Sequence, residues 1–331
     1  MAKRVRVLSI DGGGIRGIIP ALVLSRIESG TGKSVAELFD LIAGTSTGGV
    51  LALALAKPGP DGKPAFPARE LVGLYEEEGE RIFHRDVWHR MRALGNLAEE
   101  KYPANGIEAV LDHYFGNARL KDAATDVLVT SYETERRLPF FFRSSRARTR
   151  ADYDFPMKLV ARATSAAPTY FEPLKLPADG TADYYSLIDG GVYANNPAMC
   201  AFVEAKTLYP GAEDFLVVSL GTGELTRSLR FDDIKDWGLG KWAQPILDVV
   251  FDGVSSTVDY QLRQLLTPET GPRCYWRFQV RLDDESCSMD DAQPENIRRL
   301  RLFAEQLIRD RAEDLRALCA ELVAGAREAR P

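Results

Sequence analysis

Phe39-Asp40-Leu41-Ile42-Ala43-Gly44-Thr45-Ser46-Thr47-Gly48-Gly49 runs from an apolar segment into Gly-x-Ser-x-Gly, and the alanine- and leucine-rich Val50 to Ala56 follows at once. That order predicts a strand, a sharp turn and a helix. A serine in such a turn stands with its hydroxyl exposed above the sheet, and the flanking Gly44 and Gly48 let the two elements approach closely. Backbone N–H groups at the helix start and the positive end of the helix dipole favour negative charge developing beside Ser46. A glycine-rich turn with a chance serine would carry the same five residues. The strand-then-helix context favours a nucleophile.

A nucleophilic serine needs a base, and histidine is scarce. His84, His89 and His113 fall within one short segment, and no histidine follows residue 113. An α/β-hydrolase places its acid after the serine and its histidine after that acid. The ordinary Ser-His-Asp order is therefore excluded, and a triad survives only if the His84–His113 segment folds over the turn.

Composition narrows the class. The 331 residues, 45% hydrophobic and 27% charged, describe a soluble globular chain long enough for one large or two medium domains. A net charge of −6 argues against a binder of nucleic-acid phosphates, so neither DNA nor RNA is expected as a partner. Cys200, Cys274, Cys287 and Cys319 are far apart and form no Cys-x-x-Cys pair, which reads as thiols in a reducing compartment, with no metal site. No run of about 18 apolar residues exists and no signal-peptide pattern opens the chain, so a cytoplasmic location is expected.

Arg4 to Ile10 reads as a strand, Asp11-Gly12-Gly13-Gly14-Ile15-Arg16-Gly17 as a turn, and Ile18 to Ile27 as a helix. Gly12, Gly14 and Gly17 satisfy the spacing of a dinucleotide-binding turn. Against that use, the second strand ends in Ala43-Gly44 with no acid to hold a ribose, and Asp11 places a carboxylate beside the pyrophosphate position. The other use is a row of backbone N–H groups aimed at an oxyanion, with Arg16 adding positive charge or forming a structural ion pair. No cofactor is expected.

Further along, Asp126 to Tyr132, Leu138 to Phe142, Tyr184 to Ile188, Phe215 to Leu220 and Tyr275 to Leu282 read as strands. Ala68 to Gly79, Asn105 to Phe115, Pro156 to Ala166, Ile246 to Leu266 and Asn296 to Val323 read as helices, the last packed on the outer face of the sheet. Glu80 to Pro103, with Trp88, reads as an insertion or lid. Arg143 to Arg150 carries four arginines and reads as an exposed basic loop, either solvated or in contact with an anion. Asn196 before Pro197 is an N-cap signal. Trp237 and Trp242 on a glycine-loosened loop are either core residues or a lipid-facing pair. Alternating strands and helices imply an α/β layered sheet.

Asp189-Gly190-Gly191 follows the strand ending at Ile188, which lets Asp189 share a sheet edge with Ser46. A carboxylate with an ordinary pKa near 4 is a weak base for a hydroxyl, so it must be desolvated or tightly positioned. A weak base suits esters and thioesters better than amides. A turn is the simpler use of Asp-Gly taken alone.

Asp11 to Gly17, Gly44 to Gly48 and Asp189 to Gly191, with Ala163-Thr-Ser-Ala-Ala-Pro-Thr-Tyr-Phe-Glu-Pro173 before the aspartate, together resemble the patatin-like phospholipase family. The resemblance is strong over roughly residues 5 to 205 and weaker beyond. It implies a three-layer α/β/α patatin-like fold with a central, mostly parallel sheet. It implies one domain over 1–331, with a catalytic core at 8–202 and residues 203–331 completing the fold. It implies an acyl hydrolase of the phospholipase A type acting on membrane lipid esters through a Ser-Asp dyad without histidine. Ser46 matches the nucleophile, Asp189 the base, and Gly12, Gly13, Gly14 and Arg16 the oxyanion loop. Acyl transfer to an alcohol, and a binding module without turnover, remain open beside hydrolysis. The chain's compact size and C-terminal half also resemble patatin-like effectors of bacterial antiphage signalling, which a cyclic dinucleotide switches on. That resemblance implies an anionic activator, for which Arg143, Arg146, Arg148 and Arg150 are the sequence's cations, and peripheral contact with a membrane.

Overall fold

The computed structural model describes residues 4–83, 102–178, 183–225, 228–242, 245–266, 273–283, 286 and 288–324. Its centre is a sheet of eight strands: β1 (Val5–Ile10), β2 (Leu41–Gly44), β3 (Asp126–Glu133), β4 (Leu138–Arg143), β5 (Leu174–Pro177), β6 (Tyr184–Asp189), β7 (Phe215–Leu220) and, after the short β8 (Glu224–Leu225), β9 (Tyr275–Phe278). The order is β5-β6-β3-β2-β1-β7-β9, with β4 paired to β3. The run β3-β2-β1-β7-β9 is parallel, and β4, β5 and β6 join antiparallel at one side. The segment Tyr275 to Leu282 divides into β9 and a separate β10 (Arg281–Leu282) paired with β8.

All six residues of β1 are buried, because helices cover both faces of the sheet. Alternate residues feed opposite cores. Leu8, Ile10, Ile42, Val218 and Leu220 face one side, under helices such as Ile18–Thr31, Thr47–Ala56 and Met157–Thr164. Val5, Val7, Leu41, Ala43 and Val217 face the other, under Ala198–Leu208 and Pro245–Leu266. The architecture is the expected α/β/α layering around a central, mostly parallel sheet.

Two further sequence expectations are corrected. Residues Asn296 to Val323 form two helices, Pro294–Asp310 and Ala312–Ala324, parted at Arg311, whose backbone leaves the helical region and whose guanidinium turns back to Asp314. The basic loop is mostly helix, Ser144–Thr149. Its Ser144 hydroxyl accepts the Val127 N–H at 2.9 Å, and Ser144 and Ala147, three residues apart, face the interior. His84, Trp88, His89 and Cys287 lie outside the described residues. Among the described helices none is long and apolar enough to cross a membrane.

Candidate active site

The register brings three turns to one edge of the sheet. Ile10, Gly44 and Leu220 are level across β2, β1 and β7, so the turns after them emerge side by side. β6 reaches this edge from the opposite direction. It runs antiparallel to β3 and ends with Asp189 opposite Ser131, two residues beyond Val129, which is level with Gly44. Asp189 thus arrives beside the Ser46 turn although its strand runs against β2.

Ser46 sits between β2 and the helix Thr47–Ala56 at φ 54 and ψ −126, a conformation a serine rarely adopts. A β-carbon on Gly44 would overlap the Gly48 carbonyl, and one on Gly48 would overlap the Ile10 carbonyl, so neither position takes a larger residue without opening the turn. All ten residues of Thr47–Ala56 are buried, which fixes the helix under the turn. Three threonines complete the support. Thr164 accepts the Ser46 N–H at 2.8 Å, and the Thr45 hydroxyl lies 2.7 Å from that of Thr130 and 2.6 Å from the Ala194 carbonyl.

The Asp189 carboxyl is 2% exposed and accepts the Gly191 N–H at 2.7 Å. Burial pushes its pKa up from 3.8 to about 7, against the opposing pull of the nearby Ser46 hydroxyl and of the Gly191 N–H. The desolvation that a useful carboxylate base requires is therefore present in the fold. Ser46 and Asp189 open onto one shared cavity. Its walls are almost wholly apolar, formed by residues such as Val50, Leu74, Ile107, Leu111, Phe171 and Phe251. Its polar groups gather around Ser46, an arrangement suited to an acyl chain with its ester at the serine.

The glycine turn is placed unevenly. Gly13 and Gly14 line the cavity with Ser46 and Asp189, and among the described residues neither N–H has a hydrogen-bond partner. Gly14 holds φ +58, and a β-carbon there would overlap the Met289 carbonyl. Gly12 departs from the expectation of an oxyanion donor: its N–H already donates to the Asn195 carbonyl at 3.0 Å, and its own carbonyl accepts from Thr222 Oγ1 at 2.6 Å. Arg16 likewise does not line the cavity; its Nε donates to the Gly13 carbonyl at 3.2 Å, which makes it a brace of the loop. Asp11 has a role that the sequence left unassigned. It forms a two-pronged ion pair with the buried Arg277, at 3.0 and 2.6 Å, and Arg277 also donates to Ser219 at 2.8 Å. Burial still lifts the Asp11 carboxyl, against the pull of Arg277.

The four arginines expected to meet an activator are engaged within the protein. Arg143 pairs with Glu204 at 3.2 Å, Arg148 with Asp126, and Arg150 with Asp152; Arg146 lies over the Tyr153 ring at 3.5 Å. His113 is on the exposed side of the helix Ala104–Phe115. Trp237 and Trp242 are half-buried, packed edge to face at 5.4 Å, while Leu239 between them is 92% exposed and Phe231 76%. Asn196 Oδ1 accepts the Ala198 N–H at 3.1 Å, but the helix begins at Ala198 and Pro197, not Asn196, holds the N-cap position, one residue later than the sequence suggested. Thr164 and Asn195 carry no signal in the sequence; only their partners, the Ser46 and Gly12 N–H groups, distinguish them from neighbours.

Residues 8–202 match the family model described as patatin-like phospholipase. The chain is 33% identical over 342 residues to patatin-like protein 2 of Arabidopsis thaliana, covering 92% of this chain and 83% of that protein. It is 30% identical over 333 residues to patatin-like protein 4 of the same plant, with the same coverage of 92% and 83%. Likeness of 29% over 336 residues, 93% of this chain and 87% of the other, extends to a Solanum tuberosum protein named "Probable inactive patatin-3-Kuras 1".

Proposed function

The chain belongs to the patatin-like phospholipase family, and from that premise we propose that it hydrolyses acyl ester bonds of membrane phospholipids with Ser46 as nucleophile and Asp189 as its base. The observation that carries this reading is the buried Asp189 carboxyl, raised to about 7 beside the Ser46 hydroxyl at the wall of an apolar cavity that both residues line. Asp189 takes the hydroxyl proton as Ser46 Oγ attacks the ester carbonyl. The oxyanion that forms meets the free N–H groups of Gly13 and Gly14. The bond to the alcohol then breaks, the alcohol leaves with the proton from Asp189, and an acyl-serine remains. Water repeats the sequence, giving its proton to Asp189 and releasing the fatty acid.

Peripheral contact with lipid is part of the proposal. The exposed Phe231 and Leu239 and the Trp237–Trp242 pair supply the apolar and amphipathic side chains that favour a headgroup boundary. Activation by a cyclic dinucleotide draws no support from Arg143, Arg146, Arg148 and Arg150, whose guanidinium groups face their own acids and rings.

The test is vesicle hydrolysis by purified wild type, Ser46→Ala and Asp189→Asn, with fluorophosphonate labelling of Ser46. Release of fatty acid by wild type alone, with label on Ser46, supports the reading; a wild type that neither labels nor turns over rejects it and places the chain with non-catalytic relatives. Products formed with an acceptor alcohol present separate hydrolysis from acyl transfer. A panel of cyclic di- and trinucleotides in the same assay decides the activator: acceleration supports it, and an unchanged rate rejects it.

A further inference from the structure

The glycine turn is held at two points, and both lead to one distant helix, Pro245–Leu266. At its first residue, the Gly12 N–H donates to the Asn195 carbonyl, and the Asn195 side-chain Nδ2 donates to the Ser255 hydroxyl at 3.2 Å. The neighbouring Asn196 Nδ2 reaches the Ser255 carbonyl at 3.5 Å. At its other end, Arg16 Nε braces the Gly13 carbonyl, and the Arg16 charge attracts the Asp252 carboxylate of this helix through space. Burial pushes the Asp252 carboxyl up to about 6; Arg16 opposes that rise, while Asp248 and Glu224 add to it. Phe251, one residue earlier, lines the cavity itself. Phe251, Asp252 and Ser255 fall within about one helical turn, so a single face of this helix meets the site.

Packing also holds the helix: Phe251 and Leu262 are buried, Val258 and Leu266 lie half-buried against the core, and Asp259 accepts from the Tyr275 hydroxyl at 2.9 Å. Changes to the polar contacts at Asp252 and Ser255 are therefore compatible with a folded chain.

We propose that Asn195 backed by Ser255, and Arg16 backed by Asp252, are positioning residues that hold the Gly13 and Gly14 N–H groups at the oxygen of the reacting carbonyl. The proposal rests on the esterase reading above. Neither Ser255 nor Asp252 reaches the reacting atoms. Their effect passes through the geometry of a loop whose donors must sit close to the developing charge, where a displacement of about 1 Å costs up to about a hundredfold in rate. Because that charge exists only in the transition state, the loss falls on kcat and leaves KM nearly untouched.

The experiment uses the full chain and a short-chain p-nitrophenyl ester below its micelle concentration. It measures kcat, KM and the rate of fluorophosphonate labelling for wild type, Ser255→Ala, Ser255→Thr and Asp252→Asn. Ser255→Ala and Asp252→Asn are expected to lower kcat and the labelling rate about tenfold with KM within about twofold, by the positional sensitivity above. Ser255→Thr keeps the hydroxyl and restores the wild-type rate. Unchanged kcat in Ser255→Ala and Asp252→Asn, a loss carried by KM, or failure of Ser255→Thr to restore the rate overturns the proposal. Melting temperatures report folding, and if Asp252→Asn does not fold, the Ser255 pair decides alone. A wild type without turnover or labelling sinks the esterase reading and this inference with it; an active wild type with unaffected variants sinks this inference alone.

Discussion

Asp189→Asn separates the base from the fold and predicts opposite effects on activity and stability. The Asp189 carboxyl has its pKa at about 7 in the folded chain against an ordinary value of 3.8. Between those values the unfolded chain has released the proton and the folded chain retains it. Wild-type stability therefore falls as pH rises from about 4 to about 7, and is flat above. At about 1.4 kcal/mol per pH unit the total is about 4 kcal/mol. Asparagine carries no charge and shows no such fall. It can still accept from the Ser46 hydroxyl and the Gly191 N–H through Oδ1, so any fixed cost of the amide is the same at every pH. With an unfolding entropy of about 2.1 cal/mol/K per residue, about 4 kcal/mol corresponds to about 6 °C for a chain of this length. The melting temperature of Asp189→Asn relative to wild type should thus rise by about 6 °C between pH 4 and pH 8.5, while ester hydrolysis falls about a thousandfold or more. Differential scanning fluorimetry at the two pH values, with the hydrolysis assay alongside, measures both. A difference in melting temperature that stays constant with pH would refute the reasoning, because Asp189 would then carry no raised pKa.

The remaining expectations concern its surroundings. The pH profile of kcat/KM should rise through about 7, since Asp189 accepts a proton only when ionised; a profile already flat at pH 5 argues for another base. Gly13→Ala drives a β-carbon into the Thr222 side chain and displaces the turn, so kcat should drop about a hundredfold with KM for lipid little changed; steady-state kinetics on mixed micelles read the split. Arg277→Met leaves Asp11 buried without its partner and should lower stability by about 3–5 kcal/mol in urea unfolding. Joint replacement of His84, His89 and His113 by glutamine should keep most activity, and a folded triple variant without activity would return histidine to the mechanism.

The Ser46 turn is legible in the sequence because it depends on close neighbours. A strand, a tight turn and a helix need an apolar run, paired glycines and an alanine-rich segment in succession, and residues 39 to 56 supply all three. β7 was read to the residue, since Phe-Leu-Val-Val-Ser-Leu between polar turns has no other use in a layered fold. The short β5 was not seen, because Leu-Lys-Leu-Pro acquires its strand only by pairing with β6. The arginine segment reads as a loop because its composition is polar; its helix follows from Ser144 and Ala147 meeting a wall of the protein that the local sequence does not describe.

The layered α/β class, the elbow at Ser46, the glycine turn and the family the three motifs resemble are readable from the order of residues. Which of those groups are available for chemistry is set by the packed fold. It occupies the Gly12 amide with Asn195 and, among the described residues, leaves those of Gly13 and Gly14 unpartnered, turns Arg16 onto its own loop, and brings Arg277 to Asp11 across 266 positions of chain. It also surrounds Asp189 closely enough to raise it to about 7. The physical reason is the reach of the interactions involved. Turn geometry and helix spacing are set within a few residues, whereas desolvation and hydrogen-bond partnership depend on whatever packs nearby, and in a parallel sheet those neighbours come from far along the chain.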